Sequence, residues 1–311
     1  MDRRQLLMRH LIAIVSVLLA PVALLGAALW VDRAIGAPQA KSHAVLRIEL
    51  PPAGGSINLP RIDGPLDASR PLVVIDAGHG GHDPGAGAGR THEKDVTLGL
   101  ALALRRELLA GGGIRVALTR EDDRYLMLDE RSGLARRLRA DLFLSIHADS
   151  VGGDAAGSAN ASGATLYTLS SRGSSQEASR LAADENRADS VNGVHLASTN
   201  SAVSSILVDL SQRRTSQQSA DFAQMILREG QGRIAFRDVP VQSAAFVVLK
   251  SPDLPSVLFE AGYISNPADA ARLQSAAGRQ TFAEITAQAI RLYFARQAGA
   301  LGLSGAGGPI G

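Results

Sequence analysis

The chain has 311 residues, of which 45% are hydrophobic and 20% are charged, a balance typical of globular proteins and not of disordered ones. It contains no cysteine, which excludes disulfides, a thiol nucleophile and cysteine-built metal centres, so any metal site must use histidine and carboxylates. The formal net charge of +2 arises entirely from residues 1–40, which hold four Arg and two Asp, and the neutral remainder gives no reason to expect nucleic-acid binding.

The N-terminal segment has the pattern of an export signal. Arg3, Arg4 and Arg9 precede residues 11–31, which carry no charge, and a basic region before an apolar one is typical of such signals. The paired Arg3 and Arg4 also resemble a twin-arginine signal, and the apolar run is long enough for a bilayer, which takes about 20 residues. Residues 1–40 are therefore predicted to be either a cleaved signal peptide or an inner-membrane anchor, and both predict a periplasmic body.

The remainder of the chain alternates strand and helix patterns. Residues 41–70 are rich in Pro, Gly and Ser and are predicted to form a linker, with one short strand over 44–50. After residue 71, apolar β-branched runs predict strands, and apolar positions at helical spacing predict helices. The predicted strands are 72–75, 114–118, 142–146, 165–169, 246–249 and 257–259, and the predicted helices are 95–110, 129–139, 176–190, 201–229 and 282–296.

Strands that alternate with helices favour an α/β fold with a mostly parallel central sheet flanked by helices. Residues 170–240 interrupt this rhythm with a polar insert, rich in Ser, Asn and Gln, that carries two of the predicted helices. The domain is predicted over 71–297, and the Gly- and Ala-rich residues 298–311 are predicted to be a disordered tail.

Polar residues follow three predicted strands at the point where each strand ends. His79 follows the first strand, His147 ends the third, Glu260 ends the last, and Glu93 opens the first helix. Ligand sites in open α/β sheets lie beyond the carboxyl ends of the strands, so we expect the first three to converge, with Glu93 nearby. Singly, each has an ordinary structural explanation, such as a hydrogen-bonded turn or a carboxylate at a helix start. Glu260 differs, because a carboxylate directly after a buried strand is costly without a partner.

Two His and one Glu are a ligand set typical of catalytic zinc, which keeps a fourth position open for water. His79, Glu93 and His147 are therefore the candidate ligands of Zn²⁺. Bound zinc lowers the pKa of the water in the fourth position to about 7. A second carboxylate must then take and return a proton, and Glu260 is the candidate. The Gly-rich segment 78–89 fits no phosphate-binding pattern, and no G-x-S-x-G elbow occurs.

Four stretches of the sequence match a known family in order. They are VIDAGHGGHDPG at 74–85, EKD at 93–95, SIHAD at 145–149 and PSVLFEAGYISN at 255–266. Together they resemble the zinc-dependent N-acetylmuramoyl-L-alanine amidases of the bacterial cell-division type, over about residues 71–297.

That resemblance implies an enzyme that cleaves peptidoglycan at the amide bond between N-acetylmuramic acid and the L-alanine of the stem peptide. It implies that His79, Glu93 and His147 bind Zn²⁺ and that Glu260 is the catalytic carboxylate. Asp76, Asp149 and Asn266 are further candidates to support the ligands, with no specific pairing predicted.

The resemblance also suggests a regulatory role for the insert. In the division amidases a helix of this region blocks the zinc site until an activator protein moves it, and residues 176–189 look similar. Glu185 is the candidate inhibitory ligand, and an ordinary solvated helix is the alternative. An activator protein of the divisome is therefore an expected partner, and daughter-cell separation an expected role. Residues 41–70 are too few for the localisation domain that many of these enzymes carry, so septal targeting by that route lacks support.

Two other functions stay open. A zinc peptidase that cuts within the stem peptide could use the same residues, and only its products would differ. A non-catalytic peptidoglycan-binding protein of the divisome is disfavoured, because such a protein need not keep all of His79, Glu93, His147 and Glu260.

Overall fold

The computed structural model describes residues 59–88, 91–149, 161–191, 194–195 and 205–305, together with Leu19. The predicted signal peptide or anchor over 1–40 and the strand over 44–50 lie outside these ranges, apart from Leu19. Within the described ranges, no helix has both the length and the apolar character that a membrane span requires.

The centre of the domain is a six-stranded sheet. Its strands are β1 (Leu72–Ala77), β4 (Arg115–Leu118), β5 (Leu142–His147), β6 (Ala164–Leu169), β9 (Phe236–Ala244) and β10 (Ser256–Glu260). Their order is β4-β1-β5-β10-β6-β9. The first four run parallel, β6 is antiparallel to β10, and β9 is parallel to β6. The predicted mostly parallel α/β sheet is therefore confirmed, with β6 and β9 reversed.

Two short strand pairs lie outside the main sheet. One joins β2 (Gly87–Ala88) with β3 (Thr91–His92), and the other joins β7 (Ser190–Val191) with β8 (Val194–His195). The first pair follows the Gly-rich loop after β1, and its second strand leads directly into the first helix.

Helices cover both faces of the sheet, as predicted. They are α1 (Glu93–Gly111), α2 (Leu128–Arg137), α3 (Gln176–Glu185), α4 (Ser205–Gly230), α5 (Pro267–Gln274) and α6 (Ala276–Gly305). One core holds buried side chains of α1, α4 and α6 against one face. The other core lies under α2, α3 and the segment 244–254. In α1, Leu100, Leu104 and Leu108 are buried at four-residue spacing, so the apolar stripe of this helix explains how it packs.

The predicted strand over 246–249 is wrong. Residues Val247–Leu249 form a single 3₁₀ turn that packs into the second core, so their apolar character reflects burial and not pairing. The strand is instead β9, which starts inside the predicted insert. Its sequence is polar and contains Pro240, which an edge strand tolerates because one side of its backbone needs no partner.

Two ends of the domain extend beyond their predicted limits. Asp63, within the predicted linker, exchanges two backbone hydrogen bonds with Val116 of β4, at 2.8 and 2.9 Å. Helix α6 begins at Ala276 and continues to Gly305, into the segment predicted to be a disordered tail. Within the insert, α3 ends at Glu185 and a 3₁₀ turn follows over Asn186–Asp189.

Candidate active site

The carboxyl ends of β1, β5 and β10 meet at one edge of the sheet and bring the predicted residues together. Register places Glu260 directly beside His147 in the parallel pair of β5 and β10. His79 follows β1 by two residues, and Glu93 is the first residue of α1. The expected convergence is therefore present, and it results from parallel strand pairing.

Four buried side chains form one cluster: His79, Glu93, His147 and Glu185 have ligand atoms within 4.8 Å of one another. Nε2 of His79 lies 3.1 Å from Oε2 of Glu93 and 3.6 Å from Oε2 of Glu185. Nδ1 of His147 lies 3.2 Å from Oε1 of Glu93 and 3.3 Å from Oε2 of Glu185. The three candidate zinc ligands and the candidate inhibitory residue thus share one site.

The centre of this cluster has the character of a cation site. Among the described residues, Nε2 of His79 and Oε2 of Glu185 are buried without a hydrogen-bond partner, and the short approach of His79 to Glu93 lacks hydrogen-bond geometry. Buried polar atoms are nearly always paired, so an unpaired histidine nitrogen that lies close to an unpaired carboxylate oxygen fits a metal ion. Two His and one Glu are the donors that catalytic zinc takes, and the residues present fit it.

Burial and neighbouring charges shift the pKa values of the cluster residues in opposite directions. Burial alone would lower the pKa of His79, but the carboxylates of Glu93, Glu185 and Asp83 raise that pKa well above its usual value. Burial would raise the pKa of Glu93, yet His79 and His147 hold that pKa well below its usual value. The two His thus favour the ionised form of Glu93, as a cation site requires.

Glu260 lies beside the cluster in a different environment. It is fully buried, its Oε2 accepts a hydrogen bond of 3.1 Å from the backbone N–H of Asp149, and its Oε1 has no partner among the described residues. Burial and the negative charges of Asp149, Glu93 and Glu185 raise the pKa of Glu260 well above its usual range. Such a carboxyl binds a proton readily, which suits a group that takes and returns one.

Comparison with known proteins agrees with this geometry. Residues 73–291 match the Amidase_3 family, described as N-acetylmuramoyl-L-alanine amidase. The chain belongs to the N-acetylmuramoyl-L-alanine amidase family. The predicted family and the prediction that the chain is an enzyme are therefore confirmed.

Three similar proteins illustrate how far the amidase likeness extends. The chain is 37% identical over 255 residues to N-acetylmuramoyl-L-alanine amidase AmiA of Salmonella typhimurium, covering 81% of this chain and 86% of that protein. It is 37% identical to AmiC of Escherichia coli, over 75% of this chain and 55% of that protein. The solved structure of AmiC2 of Nostoc punctiforme matches 73% of this chain and 98% of its own at 27% identity, with a TM-score of 0.51.

Two glycines of the amidase make room for the cluster. A Cβ on Gly78 would lie 2.6 Å from the ring of His147, and a Cβ on Gly85 would lie 2.6 Å from the ring of His79 and 2.8 Å from Glu93. Gly85 also has a φ of 64°, which side-chain-bearing residues rarely adopt. His79 itself has a φ of 60°, so the loop holds this candidate ligand in a strained backbone conformation.

Gly85→Ala is expected to displace His79 and Glu93 and therefore to lower the zinc occupancy of the candidate site. The matched control is Gly232→Ala, since Gly232 also has a positive φ, of 74°, but nothing within 4 Å of the place that the new methyl group would take. Both variants should lose about 1–2 kcal/mol from backbone strain, while only Gly85→Ala should also lose zinc. Urea unfolding and metal analysis of the purified proteins check this, and equal zinc content in both variants would contradict it.

Side chains around the ligands fix their orientation, and sequence reasoning missed two of them. Nδ1 of His79 donates to Asp83 at 2.8 Å, which turns its Nε2 toward the cluster. Glu93 accepts backbone N–H bonds from Ala86 and Ala148, each at 2.9 Å. Arg131, on α2, donates to the backbone carbonyl of His79 at 2.9 Å. Asp83 lies in a matched motif and follows His79 by four residues, whereas no local signal marks Arg131.

The other three candidate supporting residues make different contacts. Asp76 is fully buried and binds Arg131, behind the site. Asp149 contributes the backbone N–H that binds Glu260. The side chain of Asn266 accepts from the backbone of residues 268 and 269, so it caps α5.

Contacts on both sides fix the end of α3 that carries Glu185. The side chain of Asn186 donates to the carbonyl of Ala245 at 2.9 Å and accepts from the backbone of Val247 at 2.8 Å. The buried carboxylate of Asp189 accepts from the backbone of Leu128, at the start of α2, at 3.1 Å. Glu185 is thus held at the cluster by the turn that follows it.

Proposed function

We propose that this amidase hydrolyses the amide bond between N-acetylmuramic acid and L-alanine in peptidoglycan, with Zn²⁺ held by His79, Glu93 and His147. The buried cluster with unpaired ligand atoms, in a chain of this family, is the observation that supports it. Zinc, when bound, would polarise the amide carbonyl and acidify a water molecule.

The protein's own groups account for the movement of the proton. Glu260 lies beside His147 in the register of the sheet, with one oxygen held by the backbone of Asp149 and the other unpaired. The unpaired oxygen takes a proton from the attacking water and returns it to the leaving nitrogen of L-alanine. Burial keeps this step away from bulk solvent.

We also propose that the resting enzyme is autoinhibited by Glu185. Its Oε2 approaches both His79 and His147, where it would occupy the position that catalysis needs open for water. Burial raises the pKa of this carboxyl, so placing it there without a cation is unfavourable. Release would require α3 to move, which is the expected role of an activator protein.

Glu185→Ala is expected to raise basal activity about tenfold or more, because a ligand contact worth about 1.4 kcal/mol shifts the inhibited population by that factor. The control is Asp184→Ala, which removes a neighbouring carboxylate that pairs with the exposed Arg187 and not with the cluster. Initial rates of stem-peptide release measure the effect. Unchanged activity in Glu185→Ala would refute the inhibitory role.

A periplasmic location, a role in daughter-cell separation and a membrane tether through residues 11–31 complete the proposal. They are supported by the basic and apolar N-terminal pattern and by the resemblance to the division amidases. Fractionation of cells producing the full chain would locate it and show whether residues 1–40 are removed.

Digestion of purified peptidoglycan by the zinc-loaded protein tests the reaction. The amidase releases intact stem peptides with a free N-terminal L-alanine, as read by mass spectrometry. Fragments cut within the stem would identify a zinc peptidase instead. Binding of peptidoglycan without any product, also in Glu185→Ala, would identify a non-catalytic binding protein.

A further inference from the structure

Helix α3 lies across the edge of the sheet that carries the site and presents a carboxylate at each end. Glu185, its last residue, approaches the two His. Glu177, in its first turn, lies 2.6 Å from Arg237. The second carboxylate lies eight positions after the first, which corresponds to about 12 Å of helix. The helix therefore contacts two separate cationic or cation-binding points of the domain.

The strands between these points carry buried polar atoms that find no hydrogen-bond partner in the part of the chain that the structure describes. Thr165 of β6 lies directly opposite Glu260, and Tyr167 lies opposite Leu258, so both side chains are on the face that carries Glu260. Oγ1 of Thr165, the hydroxyl of Tyr167 and Oε1 of Glu260 have no partner among the described residues. Tyr167 shares a core with the apolar side of α3. Native helix–sheet contacts rarely leave such a group of polar atoms unpaired.

Arg237 lies at the same edge of the sheet. It is near the start of β9, and the strand directions place that start beside the first residues of β6 and the end of β10. Its guanidinium donates to the hydroxyl of Tyr263 at 2.7 Å and lies 5.4 Å from the centre of that ring. Tyr263 is buried and follows Glu260 by three residues. The guanidinium is thus fixed in place, which prepares it to bind a carboxylate.

We propose that Arg237 binds a carboxylate of the acidic stem peptide, which replaces Glu177 when α3 leaves. The hydroxyls of Thr165 and Tyr167 line the path from Arg237 to Glu260 and bind polar groups of the same peptide. The helix is then a substrate mimic, with one carboxylate at the metal ligands and one at the peptide site. This inference rests on the proposed amidase function and names a binding residue for its substrate.

Peptide binding tests the site without turnover. The probes are a synthetic stem peptide that begins with L-alanine and the same peptide with its carboxylates converted to amides. They are titrated calorimetrically into the full-length protein and into Glu185→Ala. A charge-assisted hydrogen bond is worth about 1.5–3 kcal/mol, so we expect amidation to weaken binding about 10- to 100-fold. Arg237→Met should cause the same loss for the free peptide and none for the amide, and Arg237→Lys should retain part of the binding. Equal losses for both peptides, or no effect of amidation, would overturn the proposal.

Glu177→Gln separates substrate binding from a merely structural role. If Arg237 only held α3, removing either partner would loosen the helix and free the site, so both variants would raise basal activity and lower the apparent KM. The proposal instead expects opposite signs: Glu177→Gln lowers the KM for peptidoglycan fragments because it removes the competing carboxylate, and Arg237→Met raises it. Changes of the same sign would overturn the peptide site.

The same preparations keep failure of the site distinct from failure of the reaction. Release of stem peptides with no effect of Arg237→Met on peptide binding would refute the site and leave the amidase proposal intact. No release, with Arg237-dependent peptide binding retained, would refute the reaction and support the site.

Discussion

Glu260→Gln is expected to lower kcat about 10²- to 10⁴-fold, the range for loss of a general acid or base. The amide keeps the size of the carboxyl and can still accept the 3.1 Å hydrogen bond from the backbone of Asp149, but it cannot take a proton. Zinc content and peptide affinity should therefore stay unchanged. Stem-peptide release is best measured in the Glu185→Ala background at saturating substrate, because kcat then reports the active form.

Two comparisons make this result specific to proton transfer. Glu93→Gln should lose both zinc and activity, since Glu93 lies among the candidate ligands, whereas Glu260→Gln should lose activity alone. Removal of the metal with EDTA should abolish activity in the parent, and added zinc should restore it. If Glu260→Gln stayed within a few-fold of its parent, proton transfer would have to come from another group.

The residues of the site could be predicted because parallel strands place their ends at a common edge. His79, His147 and Glu260 each follow an apolar run that becomes β1, β5 or β10, so strand pairing alone brings them together. Glu93 was predictable as the start of a helix, which α1 confirms. Local sequence thus determined both the elements and their polar ends.

Other features depend on contacts between distant parts of the chain. Arg131 donates to the backbone of His79 from 52 residues away, and the periodicity of apolar residues does not predict such a contact. The edge strand β9 was not predicted because a partly exposed, polar strand with Pro240 lacks the apolar pattern of a buried one. The position of Arg237 at the site depends on the pairing of β9 and on its contact with Tyr263, so the sequence alone did not indicate a binding role for it.

The helix α3 combines apolar and charged contacts, which suits the release that we propose for it. Ala178, Leu181 and Ala182 are buried in the second core. Glu177 and Glu185, by contrast, contact groups that a substrate or an ion can satisfy instead. The proposed displacement would replace the polar contacts and lose the apolar ones, so the proposed activator would have to supply an apolar surface to α3 or to the uncovered sheet.

Asp76→Asn is expected to destabilise the metal-free protein by about 3–5 kcal/mol, the cost of leaving one member of a buried ion pair alone. Asp76 and Arg131 are both buried and 3.0 Å apart, and Thr119 and Ser145 donate to the same carboxylate at 2.6 and 2.7 Å. The amide leaves the positive charge of Arg131 buried without a counter-charge. Urea unfolding at neutral pH measures the loss. The control is Asp253→Asn, which breaks an exposed pair with Arg136 and should change stability by less than about 1 kcal/mol.

The pH dependence of the same comparison identifies the charge as the cause. Burial alone would raise the pKa of Asp76, but Arg131, Thr119 and Ser145 together lower it below its usual value. A carboxyl whose folded pKa is depressed stabilises the protein fully above its unfolded pKa of about 4, and this stabilisation is lost as the pH falls further toward the folded value. The difference in unfolding free energy between wild type and Asp76→Asn should therefore be constant from pH 7 to 5 and shrink below about pH 4. A protonated Asp76 and an asparagine leave Arg131 equally unpaired, so a loss caused by charge should disappear at acid pH. A difference that stayed constant at acid pH would instead assign the loss to packing.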